Sequence, residues 1–162
     1  MSPSTVILVE GTSDRVALEV IAARLGLDLH DTEIVAMGGA TNVARFAAAR
    51  STERVIGLCD IGEERFFRRA LGDAYSVCDR DLEDELIRAL GVAGVEEVVE
   101  REGHLATLRT FQNQPAQRSR TPEQQLRRFM GTMSGRKERY ARALCEAVPL
   151  DRVPQPLLDV LS

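Results

Sequence analysis

The sequence is poor in the side chains that bind zinc, form disulfides or build hydrolytic triads. It has three widely spaced cysteines and no Cys-x-x-Cys pair, which argues against a zinc site and against a disulfide framework. Its two histidines, His30 and His104, stand apart from any serine or cysteine nucleophile motif, so a catalytic triad is not expected. Residues 11–14 (GTSD) lack the lysine of a phosphate-binding P-loop, so no ATPase motif is visible.

Long apolar runs are also missing. No stretch approaches the roughly 18 apolar residues of a membrane span, and the N-terminus shows no signal pattern. We therefore expect a cytoplasmic protein without a membrane partner. The composition, 44% hydrophobic and 28% charged over 162 residues, is typical of a single globular domain with room for one short appendage.

Charge is distributed unevenly along the chain. The net charge is −4, yet residues 101–145 contain ten Arg or Lys against three Asp or Glu. The rest of the chain is correspondingly acidic. An acidic body with a basic arm suggests a polyanionic partner and an internal metal site, whereas the alternative interpretation is a solvated helix surface.

The first strand and helix carry two acids at informative positions. Residues 6–9 are apolar and mostly β-branched, which predicts a buried strand that ends at Glu10. A helical pattern follows, with Asp14 in its first turn, where its charge suits the helix dipole. Each acid alone has a simpler interpretation, as a solvated strand end for Glu10 and a helix-start residue for Asp14.

Strands and helices alternate through the first half of the chain. Further strands are predicted at residues 33–37, 54–60 and 74–78, with helices at 40–50, 63–71 and 81–90. This alternation predicts βαβ units and an α/β fold with a parallel sheet between helices. From about residue 92 the pattern is helical only. We therefore predict an α/β core over residues 1–91 and a basic, helical C-terminal extension over residues 92–162 that packs on it.

Acids follow three of the four predicted strands. Glu10 and Asp60 come at the ends of the first and third strands, and Asp81 and Glu83 follow the fourth. In a parallel sheet all these ends lie on one edge, so we expect the carboxylates to converge there. Carboxylates without histidine or cysteine ligands favour a hard cation, Mg²⁺ or Mn²⁺, and one or two such ions beside a basic arm suit phosphodiester chemistry.

These motifs together resemble the TOPRIM domain of topoisomerases, primases and several nucleases. Residues 6–11 with Ser13 and Asp14, the pair Gly38-Gly39, and residues 58–60 (LCD) carry that resemblance. Three segments are similar to the nuclease half of the OLD (overcoming lysogenisation defect) family: residues 8–14 (LVEGTSD), 81–86 (DLEDEL) and 135–141 (GRKERYA). The likeness extends over nearly the whole chain.

The resemblance implies a TOPRIM, Rossmann-like fold with a four-stranded parallel sheet, and a DNA endonuclease that cleaves with two metal ions. It implies that Glu10 is a metal ligand or general base, that Asp14 supports the same ion, and that Asp60 is a central ligand. Asp81 and Glu83 would hold the second ion.

Lys137 would lie beside the scissile phosphate in the same family pattern. From the residues alone, it could stabilise charge in the transition state or be one of many surface cations.

The sequence departs from the family where a DxD motif is expected, because Asp60 is followed by Ile61 and Gly62. The ATPase domain of OLD proteins is not visible either, so control by ATP would require a separate ATPase chain.

Other functions remain open at this stage. The missing acid at Gly62 favours, as the main alternative, a degenerate TOPRIM module that binds nucleic acid or a partner protein without catalysis. A topoisomerase needs a tyrosine nucleophile on a strand-passage domain, which neither Tyr75 nor Tyr140 has, and a primase needs a longer chain. A receiver-like or flavodoxin-like module would explain the acids but not the basic arm.

Overall fold

A four-stranded parallel sheet forms the centre of the computed structural model, which describes residues 4–132 and 135–162. The strands lie in the order β2-β1-β3-β4, and every neighbouring pair is parallel. Their bounds are β1 (Thr5–Val9), β2 (Thr32–Ala36), β3 (Arg54–Asp60) and β4 (Tyr75–Cys78). The predicted α/β fold with a parallel sheet is therefore confirmed.

The strand order changes direction at β1, because β2 is added on one side of it and β3 on the other. Strand β2 pairs on one side of β1 and β3 on the other, so Val9 lies between Ala36 and Leu58. The connections after β1 and β3 leave the sheet in opposite senses and open a crevice at the carboxyl ends of the strands. Ligands of open α/β sheets bind at such a switch point.

Helices cover both faces of this sheet. One face packs on α2 and α3 through Val6 and Leu8, and the other packs on the remaining helices through Ile7 and Val9. The side chains of a strand alternate between faces, so four consecutive buried residues supply both cores. The helices are α1 (Thr12–Arg24), α2 (Val43–Ala49), α3 (Glu64–Leu71), α4 (Leu82–Arg101), α5 (Leu105–Gln112), α6 (Pro122–Gly131), α7 (Arg136–Ala147) and α8 (Gln155–Leu161).

The C-terminal helices share the larger core with the sheet. Helix α7 packs along α1 and buries Tyr140, Leu144 and Cys145, while α8 lies against β3 and β4. Arg24 of α1 secures this packing because its guanidinium donates to the carbonyls of Cys145 and Val148, at 2.7 and 2.5 Å, where α7 ends. The start of α7 is thereby held at the edge of the sheet where the predicted acids lie.

Several element boundaries differ from the predicted ones. The helix predicted from residue 40 opens with a short 3₁₀ turn over Ala40–Asn42, and the one predicted from residue 63 is preceded by another over Ile61–Glu63. The two helices predicted on either side of Gly91 are present and follow one another directly as α4, with a kink at that glycine (φ 74°). The predicted domain boundary falls at this kink. In the part of the chain that the structure describes, no helix is long and apolar enough to span a bilayer.

Candidate active site

A crevice of about 230 Å³ opens at the carboxyl ends of β1 and β3. We call it the acidic crevice, because four carboxylates and one ammonium group line it. Its lining residues are Glu10, Gly11, Ser13, Asp14, Gly38, Gly39, Asp60, Glu83 and Lys137. The structure therefore brings together five of the six residues singled out in the sequence.

Glu10 is fixed in place through its own backbone. Its carbonyl accepts hydrogen bonds from the amides of Gly38 and Gly39, at 2.9 and 3.1 Å. Those two glycines have φ angles of 77° and 143°, a region that residues with a Cβ rarely adopt. The Gly38-Gly39 turn after β2 thus closes one wall of the acidic crevice and leaves the Glu10 side chain half-buried at its rim.

Asp14 reaches the crevice from the first turn of α1. Its Oδ2 accepts a hydrogen bond of 3.0 Å from the amide of Gly11, so this carboxylate also caps the helix start. The pKa of Asp14 is raised to about 6, mainly by burial; the charges of Glu83 and Glu10 contribute to the rise, and the Gly11 amide and Lys137 oppose it. Asp14 therefore both caps the start of α1 and lines the acidic crevice.

Asp60 lies at the end of β3, on the opposite side of the switch point from Glu10. The pKa of Asp60 is raised to about 7, first by burial and then by the charges of the neighbouring carboxylates, of which Asp14 and Glu10 contribute most. Like charges are thus concentrated in a poorly solvated place, where a bound cation would relieve their repulsion.

Glu83 and Lys137 form the far wall of the acidic crevice. The Lys137 Nζ lies 3.5 Å from Oε1 of Glu83, an ion pair too long to be a well-formed hydrogen bond. That Oε1 atom is buried and has no hydrogen-bond partner, and burial raises the pKa of Glu83 despite the lysine. Burial lowers the pKa of Lys137, but the charges of Glu83 and Asp14 outweigh it and raise the pKa above its usual value.

Asp81 is the sixth predicted residue, and the structure places it outside the acidic crevice. Its Oδ1 accepts from the amide of Asp84, 2.9 Å away, and so caps α4. Its Oδ2 accepts from Arg127, with Nε at 2.8 Å and a second, closer contact from the guanidinium. Both oxygens are therefore engaged, and the side chain faces a neighbouring cavity rather than Asp60.

The donor set of the acidic crevice suits a hard divalent cation. All candidate ligands are carboxylate oxygens, and the buried Oε1 of Glu83 lacks a hydrogen bond that a ligand would supply. Over residues 4–132 and 135–162, however, no three His, Cys, Asp or Glu side chains are placed closely enough to hold an ion as they stand.

One functional contact was not foreseen in the sequence. Arg127 comes from the basic stretch on α6, and the pairing partner that it finds is 46 residues earlier. The only sequence signal for it was the local excess of arginine, which does not specify a partner. Gly38-Gly39, one of the motifs that carry the TOPRIM resemblance, forms a turn whose amides bind the carbonyl of Glu10.

Comparison with known proteins relates both the sequence and the fold to one family. Residues 4–52 match the family model "Overcoming lysogenization defect protein-like, TOPRIM domain". The C-terminal region of the Burkholderia pseudomallei OLD protein superposes with a TM-score of 0.71 at 19% identity, covering 99% of this chain and 96% of that one. The C-terminal region of the Xanthomonas campestris pv. campestris OLD protein gives 0.71 at 21% identity, covering 98% and 90%. No curated protein sequence matches the chain.

These matches differ in what they cover. The family model includes Glu10 and Asp14, whereas Asp60, Glu83 and Lys137 lie beyond the residues that it matches. The two structures cover nearly the whole chain, and at their low identity they establish the fold. The family model confirms the resemblance over residues 4–52, and the two structures confirm the fold that it implied.

Proposed function

We propose that the protein is a divalent-metal-dependent DNA endonuclease, because residues 4–52 match an OLD-like TOPRIM family model and the fold is similar to that of OLD C-terminal regions. It nicks or cleaves phosphodiester bonds. The observation that carries the proposal is the acidic crevice, in which four carboxylates and Lys137 converge at the switch point of the sheet. Such a site suits phosphoryl transfer assisted by metal ions.

The proposed metal is Mg²⁺ or Mn²⁺, bound as one or two ions. When bound, such an ion activates water and stabilises charge on the phosphate oxygens. In this proposal Glu10, Asp14 and Asp60 hold the first ion. Glu83 holds the second, and Asp81 joins it only if its bond to Arg127 is released.

Lys137 is proposed to stabilise negative charge on the scissile phosphate. It is 58% exposed, it approaches Glu83, and its charge acts on Asp14 and Asp60, so its ammonium group lies between the acids and the solvent. A cation in this place can meet a phosphate group that approaches from outside. The basic stretch that contains Lys137 is proposed to attract the DNA backbone.

The site assignment is tested by removing one carboxylate. We expect Glu10→Ala to lose at least about 100-fold in metal-dependent DNA cleavage, because metal catalysis depends on ligands that fix the ion. The matched control is Glu19→Ala, on an exposed position of α1 outside the crevice. Cleavage by Glu10→Ala at the rate of the control, with both proteins folded by circular dichroism, would refute the assignment.

A second candidate is a TOPRIM module that binds nucleic acid or a partner protein without turnover. Gly62, in place of the second acid of the DxD motif, favours it, and so does the spacing of the carboxylates among the described residues. This candidate predicts salt-sensitive DNA binding with no cleavage in any divalent ion. Metal-dependent nicking would exclude it. A separate ATPase partner and a cytoplasmic location stay predictions.

A further inference from the structure

A second cavity, of about 310 Å³, adjoins the acidic crevice on the side of α6. It lies between the start of α4, the end of α6 and the start of α7. Glu83 and Lys137 line both cavities, so the two spaces are neighbours across this ion pair. We call the second space the cationic cavity, because Arg127, Arg128 and Lys137 line it.

The charges of the cationic cavity are unequally matched. Its two acids are already engaged, Asp81 by Arg127 and Glu83 by Lys137. Arg128 is exposed and has no ion-pair partner within residues 4–132 and 135–162. One positive charge is therefore left over here, whereas the acidic crevice next to it has an excess of carboxylates.

This change of sign indicates an anion as the occupant of the cationic cavity. While Asp81 stays bound to Arg127, a metal ion in this cavity would be repelled by the guanidinium groups of Arg127 and Arg128, whereas phosphate oxygens form strong, charge-assisted hydrogen bonds with such groups. Apolar ligands would leave the arginines unsolvated at a cost. The cavity is also directly beside the place where the proposed function positions a phosphodiester bond.

We propose that the cationic cavity binds a phosphate group of the nucleic-acid strand, adjacent to the phosphate at the acidic crevice, through Arg128 and Arg127. This inference rests on the proposed function for the identity of the strand. It assigns Arg128 to substrate positioning, in which the residue fixes the position of the backbone and takes no part in bond cleavage.

The test is the salt dependence of DNA binding, measured in EDTA so that metal-dependent turnover does not contribute. A short labelled duplex is titrated with wild type, Arg128→Gln and Arg142→Gln at several salt concentrations. Arg142 is the matched control, because it is an exposed arginine on α7 that lines neither cavity. Loss of one phosphate contact lowers the slope of log Kd against log salt by about 0.9.

We expect this loss of slope for Arg128→Gln, with binding weakened by about 3- to 10-fold at low salt, and an unchanged slope for Arg142→Gln. An unchanged slope for Arg128→Gln, an equal loss in the control, or no binding by wild type would overturn the proposal. Free phosphate is the other source of this ligand chemistry. If millimolar inorganic phosphate raised the Tm of wild type but not of Arg128→Gln, while the duplex slopes stayed equal, the site would be one for free anions and the proposal would be wrong.

The outcome is separable from that of the proposed function. If Arg128→Gln lowered the salt-dependence slope but wild type cleaved no DNA in Mg²⁺ or Mn²⁺, the nuclease function would be rejected and the phosphate site would be retained. If wild type cleaved DNA but Arg128→Gln left the slope unchanged, the phosphate site would be rejected and the nuclease function would be retained.

Discussion

At Asp60, burial and the like charges of its neighbours both oppose ionisation of the carboxyl group. It follows a buried strand, and the carboxylates of Asp14 and Glu10 face the same crevice. Its raised pKa means that the folded protein resists its ionisation. A site that binds cations is expected to hold such a group, because ligands that repel one another gain the most from a shared ion.

We expect Asp60→Asn to melt at a higher temperature than wild type in EDTA at about pH 8. The pKa of Asp60 is raised to about 7 in the folded state, whereas an unfolded aspartate titrates near 4. Its contribution to stability is therefore present below about pH 4 and is lost as the pH rises through about 7. The gain in Tm should be at least about 3 °C at the higher pH and should vanish near pH 4.

Thermal scans at the two pH values check this prediction. Asp73→Asn serves as the control, because Asp73 is exposed in the turn before β4 and lies outside the acidic crevice. Equal Tm values for Asp60→Asn and wild type at both pH values would contradict it.

Gly62 stands where the resemblance to the OLD family implies the second acid of a DxD motif. A Cβ added there meets no atom within 4 Å, so an acid fits without strain. We expect Gly62→Asp to fold with a free energy of unfolding within about 1 kcal/mol of wild type, and to bind Mn²⁺ about 10-fold more tightly than Gly62→Asn. Calorimetric titration with Mn²⁺ distinguishes the two variants. Indistinguishable affinities would show that the residue does not reach the ion.

At the scale of elements, β3 and α3 approach closely at one glycine. A Cβ on Gly57 would lie 2.6 Å from Cδ2 and 2.8 Å from Cε2 of Phe67, which is fully buried, and 2.9 Å from Cδ1 of Leu71. Helix α3 therefore packs on β3 only because position 57 has no side chain.

Gly57→Ala should destabilise the protein by about 1–3 kcal/mol, the usual cost of adding a methyl group to a packed core. Urea unfolding measures the change. The control is Gly62→Ala, at a glycine with open space around it, for which we expect less than about 1 kcal/mol. A Gly57→Ala variant as stable as the control would contradict the packing described for α3.

The elements themselves were largely predictable from the sequence, because their signals are local. The strand of residues 54–60 was predicted at its observed bounds, since its apolar run ends at an acid. The pairing of Asp81 with Arg127 was not predictable, because it joins α4 to α6 over 46 residues and depends on how the helices pack. For the same reason the sequence placed Asp81 with Glu83 at the sheet edge, although only Glu83 of the two lines the acidic crevice.

In the whole molecule, the acidic and basic segments of the chain line two neighbouring cavities of opposite charge. The acidic body supplies Glu10, Asp14 and Asp60 at the sheet edge, and the basic stretch supplies Arg128 and Lys137 opposite them. The composition predicted an acidic body and a basic arm, but only the folded chain shows that they meet along the Glu83–Lys137 pair. This arrangement places the proposed metal site and the proposed phosphate site side by side.

The most direct test of the central claim is cleavage of supercoiled plasmid by the wild-type protein in Mg²⁺, in Mn²⁺ and in EDTA. If the protein is the proposed nuclease, nicked or linear product forms with at least one of the two ions, none forms in EDTA, and none forms with Glu10→Ala in any of them. A folded wild-type protein that leaves the plasmid intact in both ions would contradict the proposed nuclease function and favour the binding module.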